Sequence, residues 1–414
     1  MTRPLAKPPR KNPLSRTKVP LLPPSARSRK AQGLTLAAAT GRFMLQCCAE
    51  CGTYTYPPRD ACPRCLSAAL PFIDAPAGGT LLSETSVEVT SDPYFREHMP
   101  WRVGLVQLDC GLSVVTHLHG DCAGAGSRVI LSLQFDKSGQ AVFFAKPVSE
   151  TPHMEDDPQW REMTADPKHR RVLITDGRSP VAPALVAALK KAGASKIYVG
   201  VADRWKPFDE EKKLEALDGV EIVDLDLTSE QSVRELAADI GAKVEILINT
   251  ADYVRPAQLF DTGLANTVRD TMDHTVMGLM RLSQSFGPVM RARGADGVTG
   301  SAAWVNILSV HALSSDPQFG VHSAAHAACL SLSQWLRTQL RAGGVRVINA
   351  FAGPLDTEWF QTVPPPKVAP KALADAIVDG LKRGLEDIYV GDVAKDLYAR
   401  LLDNPKAVER EAGQ

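Results

Sequence analysis

Two Cys-x-x-Cys pairs near the start of the chain have the residue type and the spacing of a metal site. Cys48 and Cys51 form the first pair, Cys62 and Cys65 form the second, and ten residues separate the pairs. Four thiolates satisfy a tetrahedral Zn²⁺ ion and leave no position open, so the pattern predicts a structural zinc site. A redox dithiol would need one pair beside a thioredoxin-like βαβ unit, which the neighbouring sequence does not have. Cys47 is interpreted as a bystander.

The composition of the 414 residues argues against several classes of protein. The net charge is zero, which provides no overall field to attract nucleic acid or an anionic membrane. No apolar run approaches the ~18 residues that a membrane helix needs. Five of the eight cysteines fall within nineteen residues, and such clustering favours metal binding in a reducing compartment over a secreted disulfide framework. We therefore predict a cytoplasmic protein without nucleic-acid or membrane partners.

Changes in composition along the chain predict several domains. Chains beyond roughly 250–300 residues usually divide, because single cores stop growing at that size. The first thirty residues contain nine Lys/Arg, seven prolines and no acid, which predicts a disordered basic arm. The predicted divisions are a basic arm (1–33), a helix with the zinc ribbon (34–68), a small barrel (69–148), a linker (149–169), an α/β domain (170–402) and a tail (403–414).

Two kinds of strand pattern indicate the fold of the ordered parts. Short β-rich runs separated by Gly, Asp and Pro predict an antiparallel barrel, with strands at 80–89, 102–108, 112–118, 127–135 and 141–146. From Arg170 onward, apolar strands alternate with helices, which predicts a parallel sheet covered on both faces. Its strands are expected at 172–175, 197–201, 220–226, 246–249, 304–309 and 345–351.

The cysteine region and the barrel resemble zinc-ribbon/OB-fold proteins that are associated with acyl-CoA metabolism. The similar motifs are Cys48-x-x-Cys51-Gly52, Tyr56-Pro57-Pro58-Arg59-Asp60, Cys62-Pro63-Arg64-Cys65-Leu66, Trp101–Leu108 and Phe144–Pro147. The resemblance covers roughly residues 34–147 and implies an OB-type barrel. Members of that family typically lack catalytic residues and bind beside thiolase-like enzymes, aldolases and hydratases, where they help to hold a CoA thioester. Nucleic-acid binding by an OB barrel needs a basic groove with stacking aromatics, and this region is not basic.

The second half resembles the short-chain dehydrogenase/reductase family over essentially residues 170–402, which implies a Rossmann-like, doubly wound sheet. The segments that carry the resemblance are Asp226–Thr228, Ile246–Ala251, Val305–Ser309 and Gly353–Thr357. By this resemblance they correspond to the acidic residue near the adenine, the Asn-Asn-Ala-Gly strand end, the strand with the substrate-polarising serine, and the stretch beside the nicotinamide. Ala352 replaces the proline of that last stretch.

The phosphate-binding turn of that family is altered at all three of its glycines. A working member has Thr-Gly-x-x-x-Gly-x-Gly, whose glycines bring backbone amides against the pyrophosphate at a helix N-terminus. Asp176, Pro180 and Ala182 stand at these positions, with Gly177 and Arg178 between them. A carboxylate ~4 Å from a phosphate costs about 4 kcal/mol at an effective dielectric constant of 20. We therefore expect no useful NAD(P) binding, although Gly177 and Arg178 could offset part of the loss by shifting the loop.

The catalytic residues of the family are also replaced. His322 and His326 stand where the Tyr-x-x-x-Lys pair is expected, Thr275 replaces the relay asparagine, and only Ser309 remains. Losing a positioned proton donor typically costs about 10²–10⁴-fold in rate. Two histidines at i and i+4 can chelate a metal, and a Ser309–His322 pair could act as nucleophile and base. Neither alternative has a visible third component, such as an orienting carboxylate, so the histidines are expected to fill a relic pocket, hydrogen-bonded to one another or to Ser309.

The two halves together predict a non-catalytic accessory or scaffold subunit of an acyl-CoA-processing complex. The zinc-ribbon/OB module would dock on a thiolase-like or aldolase-like partner that holds the CoA thioester. Small residues on the helix predicted at 324–340 would permit self-association or pairing with an active short-chain dehydrogenase. The alternative is an atypical oxidoreductase that acts on a 3-hydroxyacyl-CoA or a related alcohol or ketone. A stand-alone CoA-thioester binder is a third option.

Overall fold

A computed structural model of the protein describes residues 1–8, 19–25, 29–208 and 210–411. The arm predicted over residues 1–33 lies partly outside these residues. The chain divides into two compact units, an N-terminal unit built mainly on Leu21–Asp166 and a C-terminal unit built mainly on Pro167–Leu381. Within the described residues, no helix combines the length and the apolar character needed to cross a membrane.

The N-terminal unit begins with a short helix and a three-stranded antiparallel sheet. The elements are α1 (Thr35–Thr40), β1 (Met44–Cys47), β2 (Tyr54–Thr55) and β3 (Phe72–Asp74). β1 lies in the centre of the sheet, between β2 and β3. The long connection from β2 to β3 and the turn from β1 to β2 contain the four predicted zinc ligands.

A closed five-stranded barrel follows, as the alternating pattern predicted. Its elements are β4 (Gly78–Val87), α2 (Pro93–Glu97), β5 (Trp101–Leu108), β6 (Ser113–Leu118), β7 (Arg128–Phe135) and β8 (Ala141–Pro147). The strand order is β4-β5-β6-β8-β7, and β7 pairs with β4 to close the barrel. All pairings are antiparallel except that of β6 with β8, which is parallel. Inward-facing residues such as Leu81, Val106 and Leu133 form its core.

The segment expected to act as a linker contains a short helix, α3 (Pro158–Glu162), which begins where Asp157 accepts a hydrogen bond from the amide of Trp160 (2.8 Å). Trp160 is buried against Phe144 of the barrel. The ammonium group of Lys146 lies 3.0 Å from the centroid of the indole ring. The side chain of Gln159 also exchanges two hydrogen bonds with the backbone of Arg102 in β5 (2.8 and 3.0 Å). Both residues attach this stretch to the barrel, although prolines and acids dominate its composition.

The C-terminal unit is a seven-stranded parallel sheet with helices on its faces, in agreement with the predicted α/β class. In chain order its elements are β9 (Arg171–Ile174), α4 (Ala182–Lys191), β10 (Lys196–Val201), α5 (Glu211–Glu215), β11 (Val220–Asp224), α6 (Glu230–Ile240), β12 (Ile246–Asn249), α7 (Leu264–Thr271), α8 (Gly278–Ala292), β13 (Ala303–Ser309), α9 (Gly320–Arg341), β14 (Arg346–Ala352), α10 (Pro370–Arg383), β15 (Asp387–Val390), α11 (Asp392–Asp403) and α12 (Pro405–Glu411). The strand order is β11-β10-β9-β12-β13-β14-β15.

The order of these strands decides which residues can meet. The chain reverses direction across the sheet between β9 and β12, and ligands of such sheets bind outside the carboxyl ends of the strands at this point. The edge strand β15 was not expected from the sequence; of its four residues only Ile388 and Val390 are buried. Val408 of α12 is buried, so the segment after 403, expected to be a tail, contributes to the core of this unit.

A chain of buried polar groups fixes the position of α9 on the sheet. Trp304 donates from Nε1 to Asn306 (3.0 Å), Asn306 donates to Ser333 (3.0 Å), and Ser333 donates to Asn349 (2.5 Å). All four side chains are buried. Buried polar groups are costly unless they are paired, so this network strongly favours one register of the helix. That register determines where the two histidines of α9 lie.

Candidate functional site

The four predicted zinc ligands converge on one point of the N-terminal unit. The sulfur atoms of Cys48, Cys51, Cys62 and Cys65 all lie within 4.8 Å of one another. The sulfurs of Cys48 and Cys65 are 3.5 Å apart, and those of Cys51 and Cys62 are 3.6 Å apart. Sulfurs about 2.3 Å from a tetrahedral Zn²⁺ ion are roughly 3.8 Å from each other. The donor set and its size therefore fit a closed structural zinc site.

Each Cys-x-x-Cys pair closes through the same backbone turn. The amide of Gly52 donates to the carbonyl of Cys48 (2.9 Å), and the amide of Leu66 donates to that of Cys62 (3.0 Å). Both donors are in the left-handed region, with φ of 68° and 64°. This conformation is natural for Gly52 but strained for Leu66, whose side chain is 80% exposed. The turn brings both thiols of a pair to the same side of the backbone.

In the C-terminal unit, Asp176 occupies the start of the turn where a phosphate would contact backbone amides. Its carboxylate accepts a hydrogen bond from the amide of Arg178 (2.9 Å). That amide is thereby unavailable to a ligand. Burial raises the pKa of Asp176, and the nearby charge of Asp252 raises it further. The turn therefore contains its own acceptor in place of an external anion.

The start of α4 offers few further donors. Pro180 has no amide hydrogen, and Pro183, within the first turn of the helix, removes another. The amide of Ala182 donates to the carbonyl of Ser179 (2.9 Å). Helix N-termini bind phosphate through free amides, and this terminus has lost several of them. The turn and the helix start therefore offer fewer backbone amides to a dinucleotide pyrophosphate than the glycine-containing turn of the dehydrogenase pattern.

The side chain of Arg178 is held away from a compensating role. Its guanidinium donates to the carbonyls of Ala202 (3.3 Å), Asp203 (3.2 Å) and Lys206. The group also lies 5.1 Å from the centroid of the Phe208 ring. Arg178 thus fastens the loop after β10, and moving it to neutralise a phosphate would break these contacts. The shift of the loop around Gly177 and Arg178, which the sequence allowed as a compensation, would therefore break these hydrogen bonds.

Ser309, His322 and His326 meet in one pocket at the carboxyl edge of the sheet, as the resemblance implied. A fourth residue, Asp252, completes the cluster. The Oδ1 atom of Asp252 accepts hydrogen bonds from Nε2 of His322 (2.9 Å) and Nε2 of His326 (3.2 Å). Asp252 is thus the orienting carboxylate that was not visible in the sequence. Of the two expected partners of the histidines, each other or Ser309, the structure shows Ser309, whose backbone amide donates to Nδ1 of His326 (3.0 Å).

Asp252 was missed because it follows β12 in a stretch that reads as an ordinary loop. It comes directly after Asn249-Thr250-Ala251, at the position of the final glycine in the Asn-Asn-Ala-Gly motif. That substitution was the available signal. Pro183 was missed for a similar reason, because it lies one residue beyond the altered glycine pattern.

Hydrogen bonding determines the protonation of His326. The backbone amide of Ser309 donates to Nδ1 of His326 (3.0 Å), so the proton of the neutral ring must be on Nε2, which faces Asp252. Burial lowers the pKa of His326, and the neighbouring His322 lowers it further. Burial by itself would raise the pKa of Asp252, but the two imidazoles outweigh it and hold that pKa well below its usual range. Asp252 is therefore ionised and His326 neutral at neutral pH.

Apolar residues form the remaining wall of this pocket. Phe319, Leu355 and Phe360 line it together with Ser309 and the two imidazoles, and its cavity volume is about 30 Å³. The Ser309 hydroxyl oxygen accepts from the amide of His311 (3.2 Å). The pocket therefore combines polar groups on one side with an apolar opposite wall.

Within the described ranges, no side chain takes over the role of the proton-relay asparagine of the dehydrogenase family at the Thr275 position. Thr275 lies in a π-helical segment, Met272–Met277, between α7 and α8. Its hydroxyl is buried and has no hydrogen-bond partner among the residues that the structure describes. A threonine is too short to replace the amide of an asparagine here.

Comparisons with known proteins agree with this architecture. One family model, a ChsH2 rubredoxin-like zinc ribbon domain, matches residues 37–71, and a second, a ChsH2 C-terminal OB-fold domain, matches residues 73–134. A third, short chain dehydrogenase, matches residues 170–367.

The curated relatives match only part of this chain. A short-chain dehydrogenase, cctT, of Talaromyces islandicus is 28% identical over 193 residues, which is 45% of this chain and 64% of the relative. An acetoacetyl-CoA reductase of Rhizobium meliloti (strain 1021) is 27% identical over 201 residues, 47% of this chain and 78% of the relative.

A solved structure supports the fold of the C-terminal unit. A short chain dehydrogenase from Burkholderia cenocepacia J2315, in complex with NADP, has a TM-score of 0.53 and 27% identity, and the match covers 59% of this chain and 97% of that one. In sequence and in fold, the chain combines a ChsH2-type zinc ribbon and OB-fold domain with a domain of the short chain dehydrogenase type.

Proposed function

We propose that this protein is an accessory subunit of an acyl-CoA-processing complex and that its dehydrogenase-like domain does not transfer hydride. The observation that carries the second part is the occupied phosphate turn, where Asp176 accepts the amide of Arg178 and two prolines remove further donors. The similarity to an NADP-bound dehydrogenase gives no support to the loss of the cofactor. The argument for that loss rests on this chain's own residues.

Two comparisons support the acyl-CoA setting. The ribbon and the barrel match ChsH2 domain models, and they resemble a family that holds CoA thioesters beside another enzyme. A relative of the C-terminal unit is named acetoacetyl-CoA reductase. On this basis the zinc ribbon and the barrel dock on a thiolase-like or aldolase-like partner, which carries the substrate chemistry in the cytoplasm.

The outer face of α9 supports a role of the C-terminal unit in assembly. Ala324 and Ala327 are exposed, and the Trp335 side chain is 57% exposed. An apolar groove between α8 and α9 is lined by residues such as Leu332 and Pro288. Small residues beside a large exposed aromatic permit close approach of another helix. This face would serve a second copy of the chain or an active homologue. This part of the proposal would be contradicted if light scattering found one copy of this chain, and no dehydrogenase homologue, in each particle, both for the chain alone and for its complex with the partner.

Cofactor titration tests the absence of hydride transfer. Isothermal titration of the full-length protein with NAD, NADH, NADP and NADPH is expected to show no binding in the micromolar range. Micromolar binding of any one of them would favour the second candidate, an atypical oxidoreductase for a 3-hydroxyacyl-CoA or a related alcohol or ketone. The surviving Ser309 and the similarity to an NADP-bound enzyme are the observations that favour this candidate.

Partner docking requires a separate experiment in the native host. Affinity purification of the tagged full-length protein is expected to retain a thiolase-like or aldolase-like protein in a fixed ratio. A Cys48→Ser variant should lose that protein, because the ribbon no longer folds around zinc, whereas Cys47→Ser should keep it. Retention by both variants would exclude docking through the ribbon.

A further inference from the structure

The pocket around Ser309 contains a base and a hydroxyl group that a purely structural role does not use. His322 donates from Nε2 to Asp252 (2.9 Å), so in its neutral form Nδ1 carries a lone pair. Nδ1 has no hydrogen-bond partner in the part of the chain that the structure describes. The Ser309 hydroxyl accepts from the amide of His311, and its own proton goes to no described group. Both side chains line the same pocket.

The two other members of the cluster hold His322 in this state. Asp252 fixes the tautomer of His322 and would stabilise the imidazolium that forms when the ring takes a proton, as the aspartate of a Ser-His-Asp triad does. His326 uses both of its nitrogens, one toward Ser309 and one toward Asp252. It therefore has no lone pair to offer and acts as a brace for the carboxylate.

A metal ion is the first alternative use of these residues. The donor atoms of Asp252, His322 and His326 lie within 4.8 Å of one another, which is close enough for a shared ion. Binding through Nε2 of His326 would require the proton to move to Nδ1, where the amide of Ser309 already donates. Two hydrogens would then face each other. The hydrogen bonding of this cluster therefore favours a proton over a metal.

Acyl transfer by Ser309 is the second alternative. A nucleophilic serine needs a base within hydrogen-bond reach. Among the described residues, Ser309 and His322 share no hydrogen bond, and the imidazole bonded to the Ser309 backbone, that of His326, has no free nitrogen. The serine is thus placed to donate a hydrogen bond and is not activated as a nucleophile.

We propose that this pocket exchanges a proton at the carbon next to the carbonyl of an acyl thioester, with His322 as the base and Ser309 as the donor to the carbonyl oxygen. Asp252 and His326 are positioning residues. The choice of an acyl thioester rests on the proposed acyl-CoA function. The cavity volume is about 30 Å³, so only the reacting end of the thioester would enter the pocket, beside the apolar wall formed by Phe319, Leu355 and Phe360.

The step is balanced without any co-reactant. Nδ1 of His322 takes a proton from C2 of the thioester, the electron pair of that C–H bond forms the C1–C2 double bond, and the carbonyl oxygen gains negative charge. Ser309 stabilises this oxygen by a hydrogen bond. The imidazolium then returns a proton to C2, and the thioester is regenerated. In D₂O the Nδ1 proton of the imidazolium exchanges with solvent before the return step, so a deuteron is delivered and the product is labelled at C2.

Deuterium incorporation into butanoyl-CoA tests this proposal. Full-length protein in D₂O is expected to label C2, as measured by mass spectrometry, above a protein-free control. His322→Gln is expected to lower the rate by about 100-fold or more, because the base is lost. Ser309→Ala, which removes only a hydroxyl, should lower the rate by about tenfold or more. His153→Gln, the same replacement at a half-exposed position in the N-terminal unit, should leave it unchanged.

The positioning role of Asp252 has its own signature. Asp252→Asn should lower the exchange rate at saturation about tenfold or more, with the KM for the thioester unchanged, because the carboxylate acts through His322. A parallel change in KM would indicate a structural role and count against this part of the proposal. Circular dichroism checks that each variant is folded.

The remaining outcomes separate this inference from the proposed function. If the wild-type protein binds butanoyl-CoA by titration calorimetry but does not label it, the inference fails and the accessory role stands. If it binds no acyl-CoA, the inference fails, and the accessory role, in which the partner carries the substrate chemistry, fails only if affinity purification also retains no partner. Equal labelling by wild type and His322→Gln overturns the inference, as does a second zinc ion per chain that His326→Gln removes.

Discussion

The zinc ribbon and the cleft that binds a dinucleotide in dehydrogenases differ in how many of their ligand-binding residues are still present. The ribbon keeps four cysteines in two matched turns, and their sulfurs lie within 4.8 Å of one another. The cleft keeps the strands and helices around it, but Asp176 and Asp252 stand where the dehydrogenase pattern has glycine. A small ribbon depends on its metal for folding, whereas a sheet with a large apolar core remains stable without a ligand. The ligand site of such a sheet can therefore change while the fold persists.

The largest expected effect is the loss of zinc. Cys48→Ser removes one of four thiolates, and apparent binding free energies of structural zinc reach about 10 kcal/mol or more. We expect the variant to contain no zinc by elemental analysis and the amides of β1 to lose protection in hydrogen exchange. Cys47→Ser is the matched control and should retain one zinc. If the wild-type protein contained no zinc and its β1 amides were still protected from exchange, the ribbon would not depend on a ligand, and the difference from the cleft would disappear.

The second largest effect is expected from restoring two glycines in the dinucleotide cleft. Replacing Asp176 and Asp252 with glycine removes two carboxylates, each of which costs up to about 4 kcal/mol at 4 Å from a phosphate. We expect NADH or NADPH to bind at least tenfold more tightly to this double variant than to wild type, as measured by fluorescence titration. Asp218→Gly, at the amino end of β11 and thus at the opposite edge of the sheet, should not change the affinity. If the double variant binds the dinucleotide no more tightly than wild type, the two carboxylates are not what weakens binding.

A smaller effect concerns pH. Burial lowers the pKa of His326 below its ordinary value of 6.5, so the unfolded chain takes up a proton at a higher pH than the folded chain. Stability should therefore fall as pH drops below 6.5 toward the pKa of the folded state. His326→Gln lacks this term, so its deficit in the free energy of unfolding relative to wild type should narrow as pH falls. Denaturant unfolding of both proteins at pH 7.5 and 5.5 measures this deficit. The same deficit at both pH values would contradict a lowered pKa of His326.

The smallest effect belongs to the ribbon. Leu66 is in the left-handed conformation (φ 64°) and is 80% exposed, whereas Gly52 has the same role in the other pair. The strain of a non-glycine residue there is about 1–2 kcal/mol, and the extra entropy of an unfolded glycine offsets part of it. Leu66→Gly should therefore stabilise the protein by about 0.5–1 kcal/mol in denaturant unfolding, with zinc content unchanged. Destabilisation would indicate that the Leu66 side chain makes a contact that matters.

Residues close together in the chain were the ones whose roles could be predicted. The cysteine pairs, the five barrel strands and the altered glycines of the phosphate turn each lie within a short stretch, where spacing limits geometry. Asp252 escaped prediction because it lies 70 residues before His322 and only the sheet brings them together. The contacts of Arg178 with the loop after β10 were also hidden, since backbone carbonyls leave no trace in the pattern of side chains.

The sequence by itself determined the zinc ligands, the two fold classes and the loss of the glycines and of the Tyr-Lys pair. Those features depend on residue type and local spacing. Only the tertiary structure decided that Asp252 holds both imidazoles, that the amide of Ser309 fixes the tautomer of His326, and that Nδ1 of His322 has no hydrogen-bond partner among the described residues. Parallel strands end at one edge of the sheet, so residues from distant parts of the chain meet there, and which donor faces which acceptor depends on the packing of α9.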